Sequence, residues 1–134
     1  MTKEELIKII EKEGEYKAFM YHGYPCRIIR RGMESLIHLC GYVGIPKTHL
    51  WYGKDYDDID ADVHGGLTYA SHSLRYQPET DFYWIGFDCA HAGDFCSMFD
   101  LEYEHVVNER FETYKNMGFV EKELKKLVRQ VEKV

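Results

Sequence analysis

The C-terminal segment constrains this chain most tightly. Val120, Leu124, Leu127, Val128 and Val131 recur at helical spacing and form one apolar stripe, while Glu121, Glu123, Lys125, Lys126 and Arg129 occupy the opposite face. A helix with a single apolar stripe gains most of its stability from packing, so it must lie on a second, apolar layer. The rest of the chain has to supply that layer.

The preceding sequence offers strands. Residues 16–21 (Tyr-Lys-Ala-Phe-Met-Tyr) are strand-like, and His22-Gly23-Tyr24-Pro25 reads as a turn. Residues 26–31 form a second strand, with Arg27 alternating against Ile28, and Arg31-Gly32 is a turn signal. Residues 35–43 make a third strand carrying Leu36, Ile37, Leu39 and Cys40. Closely spaced strands joined by short turns imply an antiparallel meander. Residues 47–58 read as a loop with a helical turn at 54–58. Strand pieces at 59–64 and 67–71 flank Gly65-Gly66, a polar connection follows over 71–80, and 82–89 carries the strongest strand signal. A small-residue loop over 90–95 and a helical pattern over 101–111 complete this part. At the other end, Thr2-Lys3-Glu4-Glu5 fits a capping box opening a helix through Leu6, Ile7, Ile9 and Ile10 that stops at Gly14. The expected fold is α+β: one domain over residues 1–134, with an antiparallel sheet of about five or six strands and helices at both termini.

Composition narrows the function classes. A chain of 134 residues is one domain's worth, and no apolar run approaches the ~18 residues of a membrane span. The charged N-terminus lacks a signal-peptide apolar region, so the expected location is cytoplasmic, with no membrane partner. A net charge of −6 argues against binding a nucleic acid duplex. Cys26, Cys40, Cys89 and Cys96 show no C-x-x-C pair and read as reduced thiols. Aromatic residues reach 15%, which suits strand faces and also stacking platforms.

Two segments carry candidate chemistry. In an extended 59–64 segment, Asp60, Asp62 and His64 share one face and Ile59, Ala61 and Val63 the other. Gly65 and Gly66 permit close backbone approach or positive φ, and Thr68 and Tyr69 follow. In the 82–89 strand, Trp84, Gly86 and Asp88 share a face, with Gly86 marking a bulge or a close approach. The strand runs into Asp88-x-x-His91-x-x-Asp94, a loop able to turn polar groups inward and offer amides to an anion. Asp62, His64, Asp88, His91 and Asp94 together suit several roles: a solvated rim, a divalent metal, a metal-free pocket accepting from ribose hydroxyls, or acid–base catalysis. None of the spacings is a zinc signature, so no cofactor is expected and a divalent metal is the alternative. Arg27, Arg30, Arg31 and Lys47 read as solvated surface, with a phosphate contact as the alternative. His22, His38, His49, His72 and His105 read as structural or solvated.

Gly41-Tyr42-Val43-Gly44-Ile45-Pro46, Tyr52-Gly53, the run from Asp62 through His64-Gly65-Gly66-Leu67-Thr68-Tyr69, Trp84-Ile85-Gly86-Phe87-Asp88 and Ala90-His91-Ala92-Gly93-Asp94 resemble a widespread family of small, largely uncharacterised bacteriophage and prophage proteins. The resemblance covers residues 40–94 and the helical tail. Cys89 stands where the family often has Thr, which argues against a catalytic thiol, and Leu50 where it often has Pro. The resemblance implies a phage setting, hence the host cytoplasm, and by analogy an anti-defence sponge that sequesters a nucleotide-derived immune signal.

Three functions compete. The first is binding of a nucleotide-derived small molecule by Asp62, His64, Gly65, Gly66, Thr68, Tyr69, Trp84, Asp88, His91 and Asp94, with Trp84 or Tyr69 stacking on a base. The second is a phosphodiesterase-like hydrolase using His64 or His91 with carboxylates. The third is a protein-inhibitor module presenting acidic charge and tyrosines. A homodimer is expected if the terminal helices expose more apolar surface than one small sheet covers.

Overall fold

The computed structural model describes residues 3–30, 38–75, 77, 81–90 and 114–134. Helix α1 spans Lys3–Glu13. Strands β1 (Tyr16–Tyr21), β2 (Tyr24–Arg30) and β3 (Leu39–Ile45) follow as the expected antiparallel meander. A short 3-10 turn covers Tyr56–Asp58, within the expected helical turn, and β4 (Tyr69–Ser71) and β5 (Tyr83–Asp88) complete one five-stranded sheet in the order β1-β2-β3-β5-β4. Helix α2 (Met117–Glu132) starts at Asn116, whose side chain accepts from the Phe119 amide, and packs on β3 and β2. The α+β architecture with helices toward both termini is thus as expected.

The central strands β2, β3 and β5 are buried on both faces. On one, Cys26, Ile28, Val43, Ile45, Ile85 and Phe87 meet the α2 stripe, in which Val120, Leu124, Leu127, Val128 and Val131 are fully buried. On the other, Ile29, Cys40, Tyr42, Leu74 and Trp84 form a second cluster, joined by Tyr69 and Phe82. The apolar stripe of α2 is therefore buried within the chain. No helix among the described residues is long and apolar enough to cross a membrane.

Several boundaries differ from expectation. Strand β3 continues to Ile45 because Gly44 and Ile45 pair with Trp84 and Tyr83 of β5. Gly86 marks a close approach rather than a bulge: the β3–β5 register runs unbroken, and a Cβ there would lie 2.5 Å from the Tyr42 ring. No strand forms over 59–64. The alternation survives, with Ile59 and Val63 buried and Asp60 and Asp62 exposed, but side chains of α2 stand in for a partner strand. The Asp62 amide donates to Gln130 Oε1 at 2.7 Å, Gln130 Nε2 donates to the Asp62 carbonyl at 2.8 Å, and the His64 amide donates to Glu123 Oε1 at 2.8 Å. These bonds satisfy backbone groups that a ladder would otherwise have to pair.

Arg30 is a correction. Read as solvated, it is 4% exposed. It donates to the Gly14 carbonyl at 3.0 Å and to the Tyr114 hydroxyl at 2.8 Å, and pairs with Glu13 at 3.3 Å. Glu13 also accepts from the Tyr114 hydroxyl at 2.7 Å and from the Met117 amide at 2.6 Å. The network ties α1, β2 and the start of α2 together. The capping box at Thr2, the start of the 35–43 strand, the 101–111 helix, and Arg31, His91, Asp94, Cys96 and His105 lie outside the described residues.

Candidate functional site

Strands β4 and β5 bring part of the expected site together. Tyr69 pairs with Gly86, the Thr68 amide donates to the Gly86 carbonyl at 2.9 Å, and Thr68 Oγ1 donates to Asp88 Oδ2 at 3.0 Å. The other Asp88 oxygen accepts from the Ala90 amide at 3.1 Å, an Asx-turn that closes β5. Gly65 and Gly66 take φ values of 69° and 80°, a left-handed pair that reverses the chain between the 59–64 segment and Thr68.

Other expected members point elsewhere. Asp62 is exposed and lies 3.8 Å from Lys126 of α2. The His64 ring packs edge-on against Phe119 of α2, with centroids 5.1 Å apart. Trp84 is a correction as a stacking platform: it is 1% exposed, sits within the second core cluster, and has the Arg27 guanidinium 5.4 Å from its ring. Arg27, read as solvated, is thus half-buried against an aromatic face. Tyr69 meets Tyr42 edge-on at 5.2 Å and donates its hydroxyl to the Ser73 carbonyl. Among the described residues no group of three or more His, Cys, Asp or Glu side chains could hold a metal ion.

A groove of about 660 Å³ opens where β4 leaves the sheet. It is lined by Lys47, Tyr52, Gly53, Ala70, Ser71, His72, Ser73, Asp81 and Tyr83. That volume falls in the range of small-molecule sites. Three rings form one wall: His72 stands 5.3 Å from Tyr52 and 4.8 Å from Tyr83, and the two tyrosines are 5.8 Å apart. Burial and the nearby Asp55 carboxylate raise the Tyr83 pKa, so its hydroxyl stays protonated and donates to the Lys54 carbonyl at 2.6 Å. The polar side holds Ser71 and Ser73, with hydroxyls 3.3 Å apart, and an exposed Lys47–Asp81 pair at 3.3 Å.

The groove lies beyond the end of β4 away from Thr68, so the sequence-based site and the groove draw on opposite ends of the same two strands, β4 and β5. In sequence His72 reads as structural or solvated, and Lys47 reads, with Arg27, Arg30 and Arg31, as solvated surface with a phosphate contact as the alternative. The signal that marks His72 is Ser71-His72-Ser73, a polar triplet at the end of a strand. The groove also needs Tyr52, which lies 20 residues upstream of His72 and reaches it only through the fold.

Compared with family models, with curated proteins and with solved structures, the chain gives no match.

Proposed function

We propose that the protein binds a nucleotide-derived small molecule in the groove beside β4. One observation carries the reading: an open groove combines an aromatic wall of Tyr52, His72 and Tyr83 with Lys47 and two serine hydroxyls. A planar base gains from stacking on the exposed His72 ring and the half-exposed Tyr52, which the buried Tyr83 backs, and hydroxyls and an ammonium supply donors to sugar and phosphate oxygens. The phage setting that the resemblance implies suggests, by analogy of setting alone, sequestration of a nucleotide-derived immune signal as its use. The acidic net charge of −6 favours a small ligand over a duplex.

Incubation with a panel of mono-, di- and cyclic nucleotides, followed by heat denaturation and mass spectrometry of the released material, tests the proposal. Retention and intact release of a nucleotide are the expected result. Chemically altered release would support the hydrolase reading instead, and no retention of any member would reject the proposal.

A further inference from the structure

We infer that Lys47 is the phosphate-binding residue of the groove and that Asp81 is a built-in competitor which a phosphoryl group displaces. This inference rests on the groove being a small-molecule site, and deepens that reading by assigning its selectivity.

Lys47 contributes an ammonium to the groove lining, and Asp81, the one carboxylate among the described lining residues, lies 3.3 Å from it. Both side chains are well exposed, at 63% and 87%. An exposed pair of this kind is weakly held, because water screens the attraction and two flexible side chains must be ordered to keep it. A phosphomonoester brings more negative charge than one carboxylate, and three acceptor oxygens instead of two. Ser71 and Ser73 stand on the same lining with hydroxyls 3.3 Å apart, and the Ser73 amide donates to Ser71 Oγ at 3.1 Å. That bond makes the Ser71 oxygen an acceptor from the backbone, and of the two neighbouring hydroxyls the one that does not donate to the other keeps its O–H for a ligand. A phosphoryl group beside Lys47 therefore meets an ammonium and hydroxyl donors together, where Asp81 meets the ammonium alone among the described contacts. The rings of Tyr52 and His72 stand on the same groove for the attached base. The ligand class that follows is a nucleotide with an accessible phosphate, selected over its nucleoside.

Calorimetric titration with each 5′-nucleotide and its matching nucleoside tests this in the wild-type protein, Lys47→Ala and Asp81→Asn. Both side chains are exposed, so the variants should keep the wild-type melting temperature. The expected result is that the nucleotide binds at least about tenfold tighter than its nucleoside. Lys47→Ala should bring the two to equal affinity. Asp81→Asn should tighten the nucleotide severalfold and leave the nucleoside unchanged. Nucleoside and nucleotide binding equally to the wild type would overturn the inference while leaving the groove as a binding site. Nucleotide affinity unchanged or weakened in Asp81→Asn would remove the competitor role. Binding of neither class would overturn both this inference and the functional reading beneath it.

Discussion

At the scale of single residues, burial decides chemistry. Cys26 is fully buried on the α2 face, and desolvation pushes its thiol to about 12, with the Arg27 charge opposing the rise. A thiol so placed is inert, which agrees with reading Cys26 as a small buried hydrophobe. Because the folded value exceeds the ordinary 9.0, the unfolded chain loses this proton first. The associated stability is present below pH 9 and declines as pH rises from there toward 12. Native protein at pH 8 should leave Cys26 unlabelled by iodoacetamide, as read by peptide mass spectrometry; rapid labelling would mean the core opens there. Gly86 makes the complementary point about space. An added methyl would meet the Tyr42 ring and the Gly41 carbonyl at 2.5 Å, so Gly86→Ala should cost about 1–3 kcal/mol in denaturant unfolding. The same residue shows what sequence could convey. A glycine inside a strong strand announces a bulge or a close approach, but choosing between them requires the opposite residue, and Tyr42 is supplied by register, not by sequence proximity.

At the scale of elements, α2 organises the molecule. Its stripe packs on the sheet, and its polar side chains also hold the 59–64 segment through Gln130 and Glu123. Leu124→Asp should cost at least about 3 kcal/mol by placing a charge in a fully buried site. An unchanged melting temperature would show that the helix is not part of the core. Asn116→Ala should cost about 1 kcal/mol through loss of the bond to the Phe119 amide. Glu121 joins α2 to β1 through a 3.0 Å bond to Lys17, which holds its carboxyl below the ordinary 4.5 against the opposing effect of burial. Its stabilisation is present above pH 4.5 and lost as pH falls through the lowered value, so Glu121→Gln should flatten the acid limb of the stability profile. An identical acid limb in the variant would show that the bond contributes nothing in solution. The helix, the first hairpin and β5 were all legible because each follows a local period. The 59–64 segment was legible only in part: period two predicted which residues face inward, but not that helix side chains, rather than a strand, would pair its backbone.

At the scale of the whole molecule, the buried Arg30–Glu13–Tyr114 network and the groove share one property: each assembles residues far apart in sequence. Glu13 and Tyr114 are 101 positions apart, and Tyr52 reaches His72 across 20. Local pattern reading therefore places Thr68 beside Asp88, whose strands announce themselves, and misses the groove, whose members look unremarkable one at a time. The account rests on that groove being where ligand binds. The most direct measurement is an amide chemical-shift titration of the 15N-labelled protein with the nucleotide that binds it best. The account predicts the largest shifts at Tyr52, Gly53, Ser71, His72 and Ser73, with small changes at Asp62, Gly66 and Asp88. Shifts concentrated at Gly65, Gly66, Thr68 and Asp88, with the groove unmoved, would contradict it and return the site to the opposite end of β4.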